Sequence, residues 1–71
     1  MDLPQLFGQN VRAARLKKGI SQEQLAFDAD MKRSYISDLE RGGRNPSIKA
    51  VARLAAALGV EPEILFRVGR D

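Results

Sequence analysis

The run from Gly19 to Gly42 reads GISQEQLAFDADMKRSYISDLERG, and it sets the fold. Ser21-Gln22-Glu23-Gln24 has the form of a capping box, a Ser N-cap with Gln three residues on, so a helix begins there. Glu23 suits the positive end of that helix's dipole. Leu25 and Ala26 point inward, Phe27 partly so, and the helix, about residues 21–29, stops near Ala29. Asp30 then falls where a left-handed residue is wanted. That position favours Gly or Asn, so slight strain is expected. After a turn of about three residues a second helix spans Arg33 to Arg41, the spacing of a helix-turn-helix. At ~100° per residue, Arg33, Ser34, Ser37, Asp38 and Arg41 share one arc of ~140°, and Tyr35, Ile36 and Leu39 fill another of ~100°. The apolar arc packs. The polar arc carries guanidinium and hydroxyl groups and no Leu, Ile or Val. Such a face fits the major groove of duplex DNA, where Arg can bond guanine O6 and N7 and hydroxyls serve several bases.

Upstream, Leu3, Phe7, Val11 and Ala14 form one stripe of a helix from about Pro4 to Lys18, with Arg12 facing away and Leu16 off the stripe. Lys17 and Lys18 suit its negative end, and Gly19 fits the residue just past it. Downstream, the loop Gly42 to Pro46 leads to Ser47 as an N-cap. Ile48, Val51, Ala52, Ala55 and Leu58 then share a face, with Leu54 at its edge, and Gly59 ends that helix. A short fifth helix has Pro62 early, followed by Glu63-Ile64-Leu65-Phe66. The apolar period is helical throughout, so the chain reads as all-α, a compact five-helix bundle in one domain over residues 1–71.

A domain of 71 residues buries only roughly 60% of its unfolded surface, so the core is marginal. Cysteine and histidine are both absent. That removes disulfides, thiolate metal sites, thiol catalysis and the commonest general base. Asp28, Asp30 and Asp38 have no spacing that aims them at one point, so neither a metal nor a cofactor is expected, and the chain does not read as an enzyme. The longest apolar run, Leu54 to Leu58, is far too short to span a membrane, and no secretory leader is visible; a cytoplasmic, nucleoid-associated chain is expected. Twelve Lys and Arg against nine Asp and Glu give a net charge of +3, a balance that suits a polyanion.

The surroundings of the polar arc also suit phosphate. The helix start at Ser21 and Gln22 offers free backbone N–H groups, and a second start lies at Ser47 to Lys49. Arg41, Arg44 and Asn45 cluster between them, and Tyr35 is a core-edge residue whose hydroxyl reaches toward a phosphate. Taken singly, each of these Arg residues reads as a solvated surface charge and each Ser as surface filler. Their grouping around one helix face favours DNA contact.

The blocks Gly19 to Ala26, Ser34 to Gly42, Arg44 to Ser47 and Leu54 to Val60, in this order, resemble the phage-repressor-like helix-turn-helix family, also called Cro/CI or XRE. The resemblance covers roughly residues 7 to 66. It implies a lambda-repressor-like, five-helix DNA-binding domain, usually a homodimer on a near-palindromic operator. By position it implies base reading by Arg33, Ser34, Ser37 and Asp38, phosphate contact by Gln22, and an ion pair between Arg15 and Glu40. Ser21, Tyr35, Arg41, Arg44, Asn45 and Lys49 complete the expected phosphate set. Arg33-Ser34-Tyr35 followed by Arg44-Asn45 looks most like the small controller proteins of restriction–modification systems. Two departures stand out: Asp30 where the family often has Gly, and Lys32 where it often has a Ser or Thr cap.

One recognition helix reads only a few base pairs, so two-fold pairing is expected, with half-sites one helical turn, ~34 Å, apart. The expected interface is the fifth helix and tail, about residues 62–68, through Ile64, Leu65, Phe66 and Val68, with Val60. No small-molecule effector is expected. The competing reading is a protein-interaction module, such as an antitoxin or adaptor built on the same fold.

Overall fold

The computed structural model describes residues 2–69. Four α-helices, α1 (Leu3–Lys18), α2 (Gln22–Ala29), α3 (Arg33–Glu40) and α4 (Ile48–Leu58), are followed by a 3-10 turn, Pro62–Phe66. The expected fifth helix is thus a single tight turn, and no strand occurs among the described residues.

Local chemistry sets the boundaries. Asp2 caps α1 by accepting from the Gln5 N–H at 3.1 Å, and Pro4 sits in the first turn. Gly19 ends α1 in the left-handed region, at φ 80°. Ser21 and Ser47 accept from the N–H of Gln24 and Ala50, each at 3.0 Å. The capping box at Ser21 is only half made: the Gln24 side chain turns forward and donates to Asp28 at 2.8 Å instead of returning to the cap. Asp30 ends α2 at φ 57°, the one non-glycine with positive φ among the described residues. Lys32 opens α3 with no side-chain cap.

The helices close around Phe7, Val11, Leu25, Ile36, Leu39, Leu54 and Leu65, each almost wholly buried. α2 and α3 pack on each other, α1 crosses α3, and α4 lies against α2 and α1. Gly8 makes the α1–α3 crossing close, since a Cβ there would lie 2.1 Å from the Leu39 carbonyl oxygen. The 3-10 turn and the residue after it are tied to α1 by Asn10, whose amide donates to the carbonyls of Leu65 at 3.0 Å and Arg67 at 2.9 Å. Lys18 donates to the Ala57 carbonyl at 3.0 Å, placing a cation at the negative end of α4.

Six apolar residues are placed differently from expectation. Phe27 is 80% exposed, because it projects ~150° from the centre of the arc that buries Leu25, Ala26 and Ala29. On α4 the buried arc runs through Ala50, Val51, Leu54, Ala55 and Leu58. Leu54 lies within it, whereas Ile48, at 84% exposure, and Ala52 fall just outside. Leu3 is exposed at the start of α1, beyond the reach of the core. Leu65 is fully buried in the core and is corrected as an interface residue: the tight turn directs it inward, onto the same cluster as Phe7.

Candidate nucleic-acid interface

α3 divides as its wheel requires. Ile36 and Leu39 are buried, Tyr35 is half-buried at the edge, and Arg33 and Ser34 are open to solvent. Ser37 and Asp38 are half-buried under the side chain of Arg41. Arg41 donates to the Ser37 hydroxyl at 2.7 Å and to the Asp38 carboxylate at 2.6 Å, and Arg44 lies 3.6 Å from the other Asp38 oxygen. Asp38, the one anion on this face, is therefore offset by two cations. These pairs are solvent-exposed and worth about 0–1 kcal/mol each, so an incoming anion can take either Arg. The Arg44 guanidinium stands 5.2 Å over the Tyr35 ring, which orients it beside the face.

Behind the face, three elements meet at Glu40. Arg15 on α1 donates from Nε to Oε2 at 2.7 Å and from Nη2 to Oε1 at 3.1 Å, a two-pronged pair with both side chains buried. Its Nη1 reaches the Ile20 carbonyl at 3.0 Å. The hydrogen bond that Arg15 donates to Glu40, opposed by desolvation and helped by the carboxylate charge, raises the Arg15 pKa above its ordinary value. Gln22 also donates to Glu40 Oε1, at 3.1 Å. Its side chain is thus half-buried and tied inward, using one of its two amide donors, a contact that sequence reasoning missed. A partner 18 residues away leaves no local pattern to read.

The expected phosphate contacts flank the face. Ser21 is exposed at the start of α2, and Asn45 and Lys49 are exposed around the start of α4. Sequence reasoning also missed Arg53. From α4 its Nε donates to the Ala29 carbonyl at 3.0 Å, and its Nη2 donates to the Asp30 carbonyl. It so holds the turn before the recognition helix.

Among the described residues, no group of three acidic side chains could hold a metal, and no helix is long and apolar enough to cross a membrane. Of the expected interface residues, Val60, Ile64 and Val68 line one groove with Ala13, Ala14 and Leu58. Phe66, 41% exposed, stacks on Phe7 at 5.1 Å between ring centres.

Residues 11–65 match the family described as helix-turn-helix. The control protein C.BamHI of Bacillus amyloliquefaciens is 54% identical over 62 residues, covering 86% of this chain and 76% of that protein. The crystal structure of the restriction-modification controller protein C.AhdI from Aeromonas hydrophila superposes with a TM-score of 0.86. Its identity is 48%, over 89% of this chain and 96% of that one. The hypothetical transcription factor NHTF from Neisseria gives a TM-score of 0.87 at 38% identity, over 92% and 73%. With an open polar face on α3 and relatives of this closeness, the chain belongs to the XRE-type helix-turn-helix family and is a DNA-binding transcription regulator.

Proposed function

We propose that the chain works as a restriction–modification controller, a homodimer that binds a near-palindromic operator in the cytoplasm and acts by occupancy rather than turnover. The observation that carries the reading is the solvent-open start of α3, with Arg33 and Ser34 uncovered beside Arg41 and Arg44. Arg33, Ser34, Ser37 and Asp38 read base edges in the major groove. Ser21, Gln22, Tyr35, Arg41, Arg44, Asn45 and Lys49 hold backbone phosphates and fix the register. Ser37 and Asp38 become available when Arg41 leaves them for a phosphate. Asp38 then accepts from cytosine N4, or keeps Arg44 in place. Pairing through Val60, Ile64, Phe66 and Val68 sets two copies of α3 about 34 Å apart on one side of the duplex.

Sites selected from random duplex DNA supply the operator for the test. Arg33→Ala is expected to cost about 1–3 kcal/mol of discrimination between operator and random DNA. Arg44→Ala is expected to weaken both evenly and make the salt dependence shallower. Unchanged operator preference in Arg33→Ala would reject α3 as the reading helix. A wild-type footprint without two phased half-sites would favour the interaction-module reading.

A further inference from the structure

Two cations outside the proposed contact set share an open cleft with residues inside it. The cleft lies between the α2–α3 turn and the first turns of α4. Lys32, Ser34, Tyr35, Arg44 and Arg53 line it over an apolar floor of Met31 and Ala50. No carboxylate lines it. Arg53 is held there by its bonds to the last carbonyls of α2, where a cation is favoured by the helix dipole. A guanidinium has five N–H donors, so these two bonds leave donors to spare, and the Arg53 side chain is half exposed. Arg44 is propped on the Tyr35 ring. Lys32 is exposed and makes no capping bond. The opposing charge is Asp30, 4.0 Å from Arg53 Nη2. At 104% side-chain exposure it stands in water, where its repulsion is screened.

Three cations and two hydroxyls around a carboxylate-free cleft form a receptor for a phosphate group. Ser34 belongs both to the cleft and to the exposed face of α3, so the two surfaces are continuous. We infer that the cleft seats one phosphodiester of the duplex backbone, with Lys32 and Arg53 as direct phosphate contacts. The inference rests on the DNA-binding reading and extends it to α4. It gives Arg53 two roles at once: it fixes the end of α2 and senses where the backbone lies relative to α3.

The test is the salt dependence of binding by the full chain to a random-sequence duplex. Losing one phosphate contact makes the slope of log affinity against log salt shallower by about 0.9. That change is expected for Lys32→Gln and for Arg53→Gln, with Arg53→Lys restoring the slope. An Arg53 that serves only as a clamp would instead lower the unfolding midpoint of Arg53→Gln and leave its slope as in wild type, overturning the assignment. If Arg53→Gln does not fold, exposed Lys32→Gln decides alone, and a wild-type slope overturns the inference. Inorganic phosphate titrated without DNA, followed by fluorescence of Tyr35, the single tyrosine, is expected to bind only weakly, since a lone anion lacks the neighbouring phosphates of a duplex. Phosphate saturation that disappears in Lys32→Gln while the DNA salt slope of that variant stays as in wild type would identify a free-anion site and reject the duplex as occupant. A wild-type chain lacking salt-dependent DNA binding would refute the DNA-binding reading itself.

Discussion

Glu40 is a carboxylate with three donors and almost no water, its side chain 3% exposed. A buried charge is tolerable only while its partner stays, so removing one member costs far more than removing both. Glu40→Leu leaves the Arg15 guanidinium buried and unpaired, and about 3–5 kcal/mol of stability is expected to vanish, measured by urea unfolding at fixed chain concentration. The double variant Arg15→Met with Glu40→Leu is expected to recover most of it. Because the Arg15 pKa is raised on folding, the stability this shift contributes is present below the ordinary arginine range and is lost as the pH rises into strong alkali. The resemblance placed Arg15 opposite Glu40, and the pair forms. The Gln22 arm was not legible, because it depends on the angle at which α2 meets α3. Arg53 was invisible for the same reason: its acceptors are backbone carbonyls more than twenty residues upstream, and carbonyls carry no residue identity.

At the scale of the element, the starts and stops were the most legible feature, since a cap is written in a few adjacent residues. Ser21, Ser47, Gly19, Gly59 and the left-handed Asp30 all take the expected positions. Buried faces were harder. A helical wheel gives relative angles, and only the neighbours decide where the buried arc is centred. On α4 that centre lies between Leu54 and Leu58 rather than on the Ile48 side. Gly8 was unreadable as a contact because it has no side chain to pattern. Its value is the closeness it permits. In an exposed helix Gly→Ala gains about 1 kcal/mol. Here the added methyl meets backbone at 2.1 Å, and α1 must lift from α3. Overpacking of that kind costs about 1–3 kcal/mol, so Gly8→Ala is expected to lower the thermal midpoint, by roughly 4–8 °C per kcal/mol in a domain this size. A higher midpoint would show that α1 shifts at no cost.

At the scale of the whole molecule, composition excluded a disulfide-stapled fold and could not specify pairing. The exposed residues of the chain end are real candidates because the fold uses Leu65 for itself and leaves Ile64 half-buried and Val68 67% exposed. Val68→Asp touches no core contact. It is expected to leave thermal unfolding of the single chain unchanged, to shift sedimentation toward the monomer, and to lower operator affinity at a given chain concentration. An unshifted sedimentation profile would move the pairing surface elsewhere.

Asn10 anchors the Leu65 and Arg67 carbonyls to the first helix, so the groove beside them has its shape in the single chain. Self-association through a ready-made mould requires little ordering of backbone. Its heat-capacity change should then scale with the apolar area hidden, without the larger signal of a segment that folds as it docks.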